Sequence, residues 1–135
     1  HANTRIKRNT RENKSIRRVG IMKIKLNAQD STVIKSNETY DIIDNTHLKN
    51  LIVSRTILHP QKNTSGHNHS GQEEVYMFVW GRGKMVVDDK TYVVQEGDIV
   101  LIPDGAFHKV WNQDDLLDME FICVFDGGRN HESNG

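Results

Sequence analysis

The sequence has a single cysteine, Cys123, so it can close no disulfide within itself, and a reducing compartment is the expected setting. It has no apolar run long enough to span a bilayer and no secretory hydrophobic segment near its first residues. No membrane partner is therefore expected, and the default address is the cytoplasm. It also lacks a net charge: 18 Lys and Arg balance 18 Asp and Glu across 135 residues, which gives no reason to expect a nucleic-acid partner. No segment after residue 60 repeats apolar residues at the helical period, which argues against a helical core. The length suits one domain with a real core.

The balanced charge hides an asymmetry. Residues 1–25 hold nine Lys and Arg against one acid, Glu12, and the other 110 residues hold nine against seventeen. The opening "HANTRIKRNTRENKSIRRVG" is polar, basic and poor in aromatics, a composition that cannot bury enough surface to order itself. Residues 1–25 are accordingly expected to form a flexible basic extension. The first residue is His, and Met22 offers an alternative start. Residues 127–135, rich in Gly and Asn, are expected to be a loose tail, leaving 40–126 as the folded domain.

From residue 40 onward the signals are strands and turns. Residues 48–60 ("LKNLIVSRTILHP") are β-branched and half alternating, and 74–80 ("EVYMFVW") are strand-like and stopped by Gly81 and Gly83. Residues 84–98 predict a hairpin turning at Asp88-Asp89. Three more short strands are expected at 98–103, 107–112 and 119–125, separated by Pro103-Asp104-Gly105 and by Asp114-Asp115. Short strands at this spacing predict an all-β antiparallel sandwich or barrel.

Seven histidines are present, and two of them, His67 and His69, are separated by one residue. Residues i and i+2 of a strand project to the same side, so two imidazoles can converge on one ion there. An acid follows shortly, Glu73 or Glu74, and a set of imidazoles and a carboxylate suits Fe, Mn, Ni, Co or Zn. A second pattern lies downstream: Gly97, five residues, Pro103, one residue, Gly105, two residues, His108, three residues, Asn112. Five fixed positions of this kind match by chance roughly once in 10^7 starting points.

This pattern resembles, residue for residue, the second motif of the cupin superfamily, G-x5-P-x-G-x2-H-x3-N. The first cupin motif, G-x5-H-x-H-x3,4-E-x6-G, is similar to the stretch through His67, His69 and Gly81, except that its leading Gly falls at Gln61. The resemblance spans residues 50–125. It implies a small single-domain protein of the cupin_2-like kind, folded as a double-stranded β-helix (jelly-roll) antiparallel barrel around one divalent metal ion. The ligands it implies are His67, His69, His108 and one glutamate, and the six-residue gap back from Gly81 selects Glu74. Strand parity then puts Tyr76 and Phe78 on the inner face with Glu74, and Glu73, Val75, Met77 and Val79 on the other.

A three-His, one-Glu site leaves coordination positions open, which favours chemistry on a small molecule over a structural ion. The run "EEVYMFVWGRGKM" is similar to the cupin-type phosphoglucose isomerases. That similarity implies metal-assisted proton transfer on a sugar, sugar phosphate or small organic acid, with Tyr76 as the catalytic acid or base and Arg82, Lys84 or Lys109 as anion contacts. The alternatives are an iron-dependent dioxygenase, a metal-dependent lyase or decarboxylase, and a non-catalytic ligand-binding or sensory module. A homodimer is expected, since small antiparallel barrels cover exposed edges by pairing them. Trp80 and Trp111 are read as packing or rim residues, Cys123 as a buried apolar filler, His59 as a residue near the pocket mouth, and Asn112 as a brace behind His108.

Overall fold

A computed structural model describes residues 20–127. The residues before Gly20 and after Gly127, including His131, lie outside the described part. The described residues form nine strands: β1 (Thr32–Ser36), β2 (Tyr40–Asn45), β3 (Leu51–Leu58), β4 (Glu74–Trp80), β5 (Arg82–Val87), β6 (Lys90–Gln95), β7 (Ile99–Ile102), β8 (His108–Asn112) and β9 (Met119–Asp126). None of the described residues forms a helix long and apolar enough to cross a membrane.

Alternation decides which side chains enter the core. In β3 the buried positions are Ile52, Ser54, Thr56 and Leu58, and in β9 they are Met119, Phe121, Cys123 and Phe125. In β4 they are Glu74, Tyr76 and Phe78, while Glu73 and Val79 are exposed. That is the parity expected from the sequence. Phe78, Phe121, Leu58, Met85, Met119, Val94 and Val110 are almost wholly enclosed, and each large apolar side chain so buried stabilises the fold by about 1.5–3 kcal/mol.

All strands pair antiparallel, in two sheets ordered β1-β2-β3-β9-β4-β7 and β6-β5-β8. The all-β expectation holds, but the expected closed double-stranded β-helix barrel does not: neither sheet closes on itself, and no strand ladder joins one to the other among the described residues. The junctions lie in irregular segments that offer single bridges, Asn63 to Trp111 and His67 to His108. At the β4–β5 junction the chain passes from one sheet to the other through Gly81, whose φ is +84° and whose added Cβ would lie 2.8 Å from the Asp118 carbonyl oxygen. A left-handed residue there ends the ladder instead of extending it.

Two strands, β1 and β2, add to those read from the sequence, and β1 begins before residue 40. Ahead of them the chain is already tied to the sheet. Arg55 Nη1 donates to the Leu26 carbonyl (3.3 Å), and Asn45 Nδ2 donates to the Asp30 carbonyl (3.2 Å). Arg55 also pairs with Glu120 across β3 and β9, Nε to Oε2 at 2.7 Å.

Candidate metal centre

The loop between β3 and β4 carries His67 and His69, and the start of β8 carries His108. The expected strand for the H-x-H pair is in fact an irregular segment in which His67, but not His69, makes a bridge. The His67 N–H donates to the His108 carbonyl (3.2 Å), and the His108 N–H donates to the His67 carbonyl (3.0 Å). This reciprocal pair fastens the loop of one sheet's side to a strand of the other. Gly66 permits it, since a Cβ there would fall 2.3 Å from the Phe107 ring. The Gly105 amide, at φ +80°, donates to the His69 carbonyl (3.1 Å) and holds the second histidine against the turn before β8.

His67, Glu74 and His108 bring one ligand-type atom each within 4.8 Å of one another. Glu74 and His108 are buried and His67 is half-buried. His69 is adjacent but outside that trio: its ring centroid lies 4.6 Å from that of His67 and 6.1 Å from that of His108. The Tyr76 ring sits 5.6 Å from His108, edge to face, and stacks on Phe121 at 5.1 Å. Glu73 points to solvent on the other side of the strand.

The protonation pattern of His108 bears on what the trio can hold. Its Nδ1 lies 3.0 Å from the Ala106 carbonyl, and a carbonyl oxygen only accepts, so Nδ1 carries the hydrogen. In the neutral ring, Nε2 is then a bare lone pair. That atom lies 3.1 Å from Glu74 Oε1, in a contact that lacks hydrogen-bond geometry. Two buried acceptors facing each other are unfavourable unless a proton or a metal cation lies between them. A divalent ion fits this donor set, and the Ala106 carbonyl orients the imidazole as second partners of metal-bound histidines do.

His67, His69 and Glu74 line a cavity of about 40 Å³ whose wall also includes Ser54, Thr56, Thr64, Gln72, Tyr76 and Cys123. Sequence reasoning missed Ser54 and Thr56 and gave Cys123 only a packing role. The signal was present in "LIVSRTIL", where the two hydroxyls occupy inward positions between Ile52 and Leu58. The expected anion contacts do not line this cavity. Arg82 borders a separate depression with Glu96 and Asp118. The Lys84 and Lys109 ammonium groups lie 4.7 and 5.1 Å from the centre of the Trp111 ring, on the face of their sheet opposite His108.

Gln61, at the place of the missing motif glycine, has φ 65°. The left-handed conformation is retained without glycine, and Nε2 of Gln61 donates to the Gln113 carbonyl (3.1 Å) and Asp115 Oδ1 (2.7 Å), which offsets part of its strain. Asn112 braces the site from behind: its Nδ2 reaches the carbonyls of Leu58, His59 and Leu117 at 2.9, 3.2 and 2.9 Å. His59 packs between Asp118 (3.0 Å) and Asp41 (3.7 Å) instead of lining the cavity.

A family profile described as Cupin domain matches residues 54–125. A protein of uncharacterised function from Methanocaldococcus jannaschii is 32% identical over 66 residues, covering 49% of this chain and 52% of that protein. The chain thus spans about half the length of that relative. Among solved structures, a predicted oxalate decarboxylase from Thermotoga maritima superposes with a TM-score of 0.65 at 20% identity, over 76% of this chain and 98% of the other. KdgF from a Halomonas species superposes with a TM-score of 0.68 at 13% identity, over 81% and 97%. At these identities the structural likeness speaks for the fold alone.

Proposed function

The chain belongs to the Cupin domain family, and from that premise we propose that it is a divalent-metal enzyme acting on a small molecule by proton transfer. The observation that carries the proposal is the convergence of His67, Glu74 and His108, with His108 Nε2 facing Glu74 Oε1 at 3.1 Å. In this reading His67, His69, Glu74 and His108 hold one ion of Fe, Mn, Ni, Co or Zn. When bound, such an ion supplies Lewis acidity toward an oxygen of the small molecule.

The chain's own residues would do the rest. Tyr76 is buried, lines the cavity and lies beside His108, which suits its phenol to give or take a proton at a ligand carbon or oxygen. The apolar walls from Phe121 and Phe125 limit water around it. The similarity of residues 73–85 to cupin-type phosphoglucose isomerases supports the isomerase form of this chemistry. The placement of Arg82, Lys84 and Lys109 away from the cavity weighs against a phosphorylated substrate. A homodimer in the cytoplasm remains part of the proposal, supported by the exposed apolar residues Ile99 and Leu101 on the edge strand β7.

The test is to load the protein with each ion in turn and incubate it with small hydroxy acids and hydroxycarbonyl compounds in deuterated water. Solvent deuterium should enter the compound, and Tyr76→Phe should abolish that entry while keeping its metal. Oxygen consumption instead would indicate a dioxygenase, and release of carbon dioxide a decarboxylase. Saturable binding with none of these would mark a ligand-binding module.

A further inference from the structure

We infer that the cavity takes a compact, oxygen-bearing molecule with no more than one negative charge, held at the end away from His108 by the hydroxyls of Ser54 and Thr56. The inference rests on the metal-dependent reading above and narrows it to a substrate class. Three observations carry it.

The first is the composition of the wall. No Lys or Arg is among the described residues that line the cavity. The one arginine of β3, Arg55, lies on the opposite face, paired with Glu120. One carboxylate, Glu74, lines the cavity, and a second carboxyl, Asp44, stands directly behind Ser54 as its cross-strand partner at 2% exposure. A divalent cation beside Glu74 leaves at most one positive charge for a ligand to balance, and Asp44 lowers that further. The further charge of a phosphate ester would have no guanidinium or ammonium to meet it, and a buried charge without a partner is strongly disfavoured.

The second is a polar row in register. Asp44, Ser54, Cys123 and Tyr76 are successive cross-strand partners on β2, β3, β9 and β4. The neighbouring row reads Ile42, Thr56, Phe121 and Phe78. Ser54 and Thr56 are therefore hydroxyls set into a largely apolar floor at 1% and 6% exposure. Ser54 already has a partner within the fold, but a hydroxyl both donates and accepts, so it can also meet a ligand oxygen.

The third is size. About 40 Å³ is available, against roughly 10–15 Å³ for one enclosed water. That space suits a part of the ligand of a few heavy atoms.

The test is calorimetric titration of metal-loaded protein with a matched pair, glycolate and 2-phosphoglycolate, after metal content has been measured. Glycolate should saturate, and 2-phosphoglycolate should bind at least about tenfold more weakly. Ser54→Ala and Thr56→Val should each weaken glycolate by about five- to tenfold with metal content unchanged, and Lys84→Ala and Lys109→Ala should leave it as in the wild type. Binding of 2-phosphoglycolate as tight as glycolate would overturn the inference. So would metal-loaded protein that ignores glycolate, or Ser54 and Thr56 variants that bind it normally. A protein that loads no metal at all would instead sink the parent reading, and this inference with it.

Discussion

Nε2 of His108 lies 3.1 Å from Oε1 of Glu74, while Nδ1 of the same ring faces the Ala106 carbonyl at 3.0 Å. The Ala106 carbonyl holds the hydrogen on Nδ1, so Nε2 is the ring nitrogen turned toward the carboxylate in a buried site. A cation bound there would be met by the Nε2 lone pair and the carboxylate together. Metal at a hundred times its Kd should stabilise the protein by about 2.7 kcal/mol, seen as a rise in Tm that a chelator reverses.

Glu74→Gln should separate the two states. Its amide can donate to His108 Nε2, so the metal-free variant should be as stable as metal-free wild type or more so. The rise in Tm on adding metal should vanish. Paired thermal scans with and without chelator provide the check, and a variant that loses stability only without metal would contradict the tautomer argument.

Asn112→Ala should destabilise the fold by about 2–3 kcal/mol, because it deprives three carbonyls behind the site of their shared donor. Asn112 is almost fully buried, so water cannot readily replace it. Urea denaturation measures the loss, and a change below half a kcal/mol would show that the brace is dispensable.

The loop before β9 should respond to acid. Backbone N–H groups of Leu116 and Leu117 donate to Asp114 Oδ1 at 2.8 and 2.9 Å and hold its carboxyl below the usual carboxylate range. Because the folded value is the lower one, the stabilisation is complete above the ordinary carboxylate pKa near 3.8 and is lost as pH falls through the depressed value. Amide exchange at Leu116 and Leu117 should accelerate there, and should be insensitive to pH in Asp114→Asn apart from the intrinsic exchange rate.

Much of the site was legible because it depends on local spacing. Gly97 and Gly105 take positive φ where the second motif puts glycine, and the gap from Gly81 selected the glutamate that turns inward. Sheet closure was not legible, since motif spacing shapes loops but does not say whether edge strands bond across a gap. The Gln61 conformation was hidden because a non-glycine residue holds a glycine's backbone angles. Ser54, Thr56 and Asp44 were missed for a different reason. Alternation divides a strand into two faces, but only the pairing of β3 with β2 and β9 reveals which face shares a cavity with Tyr76.

Elemental analysis of purified, reconstituted protein tests the central claim most directly, with His67→Ala, His108→Ala, Glu73→Gln and Glu74→Gln beside wild type. Wild type and Glu73→Gln should each carry about one divalent ion per chain, and the other three should lose most of it. No ion in wild type, or an ion kept by Glu74→Gln and lost by Glu73→Gln, would contradict the account.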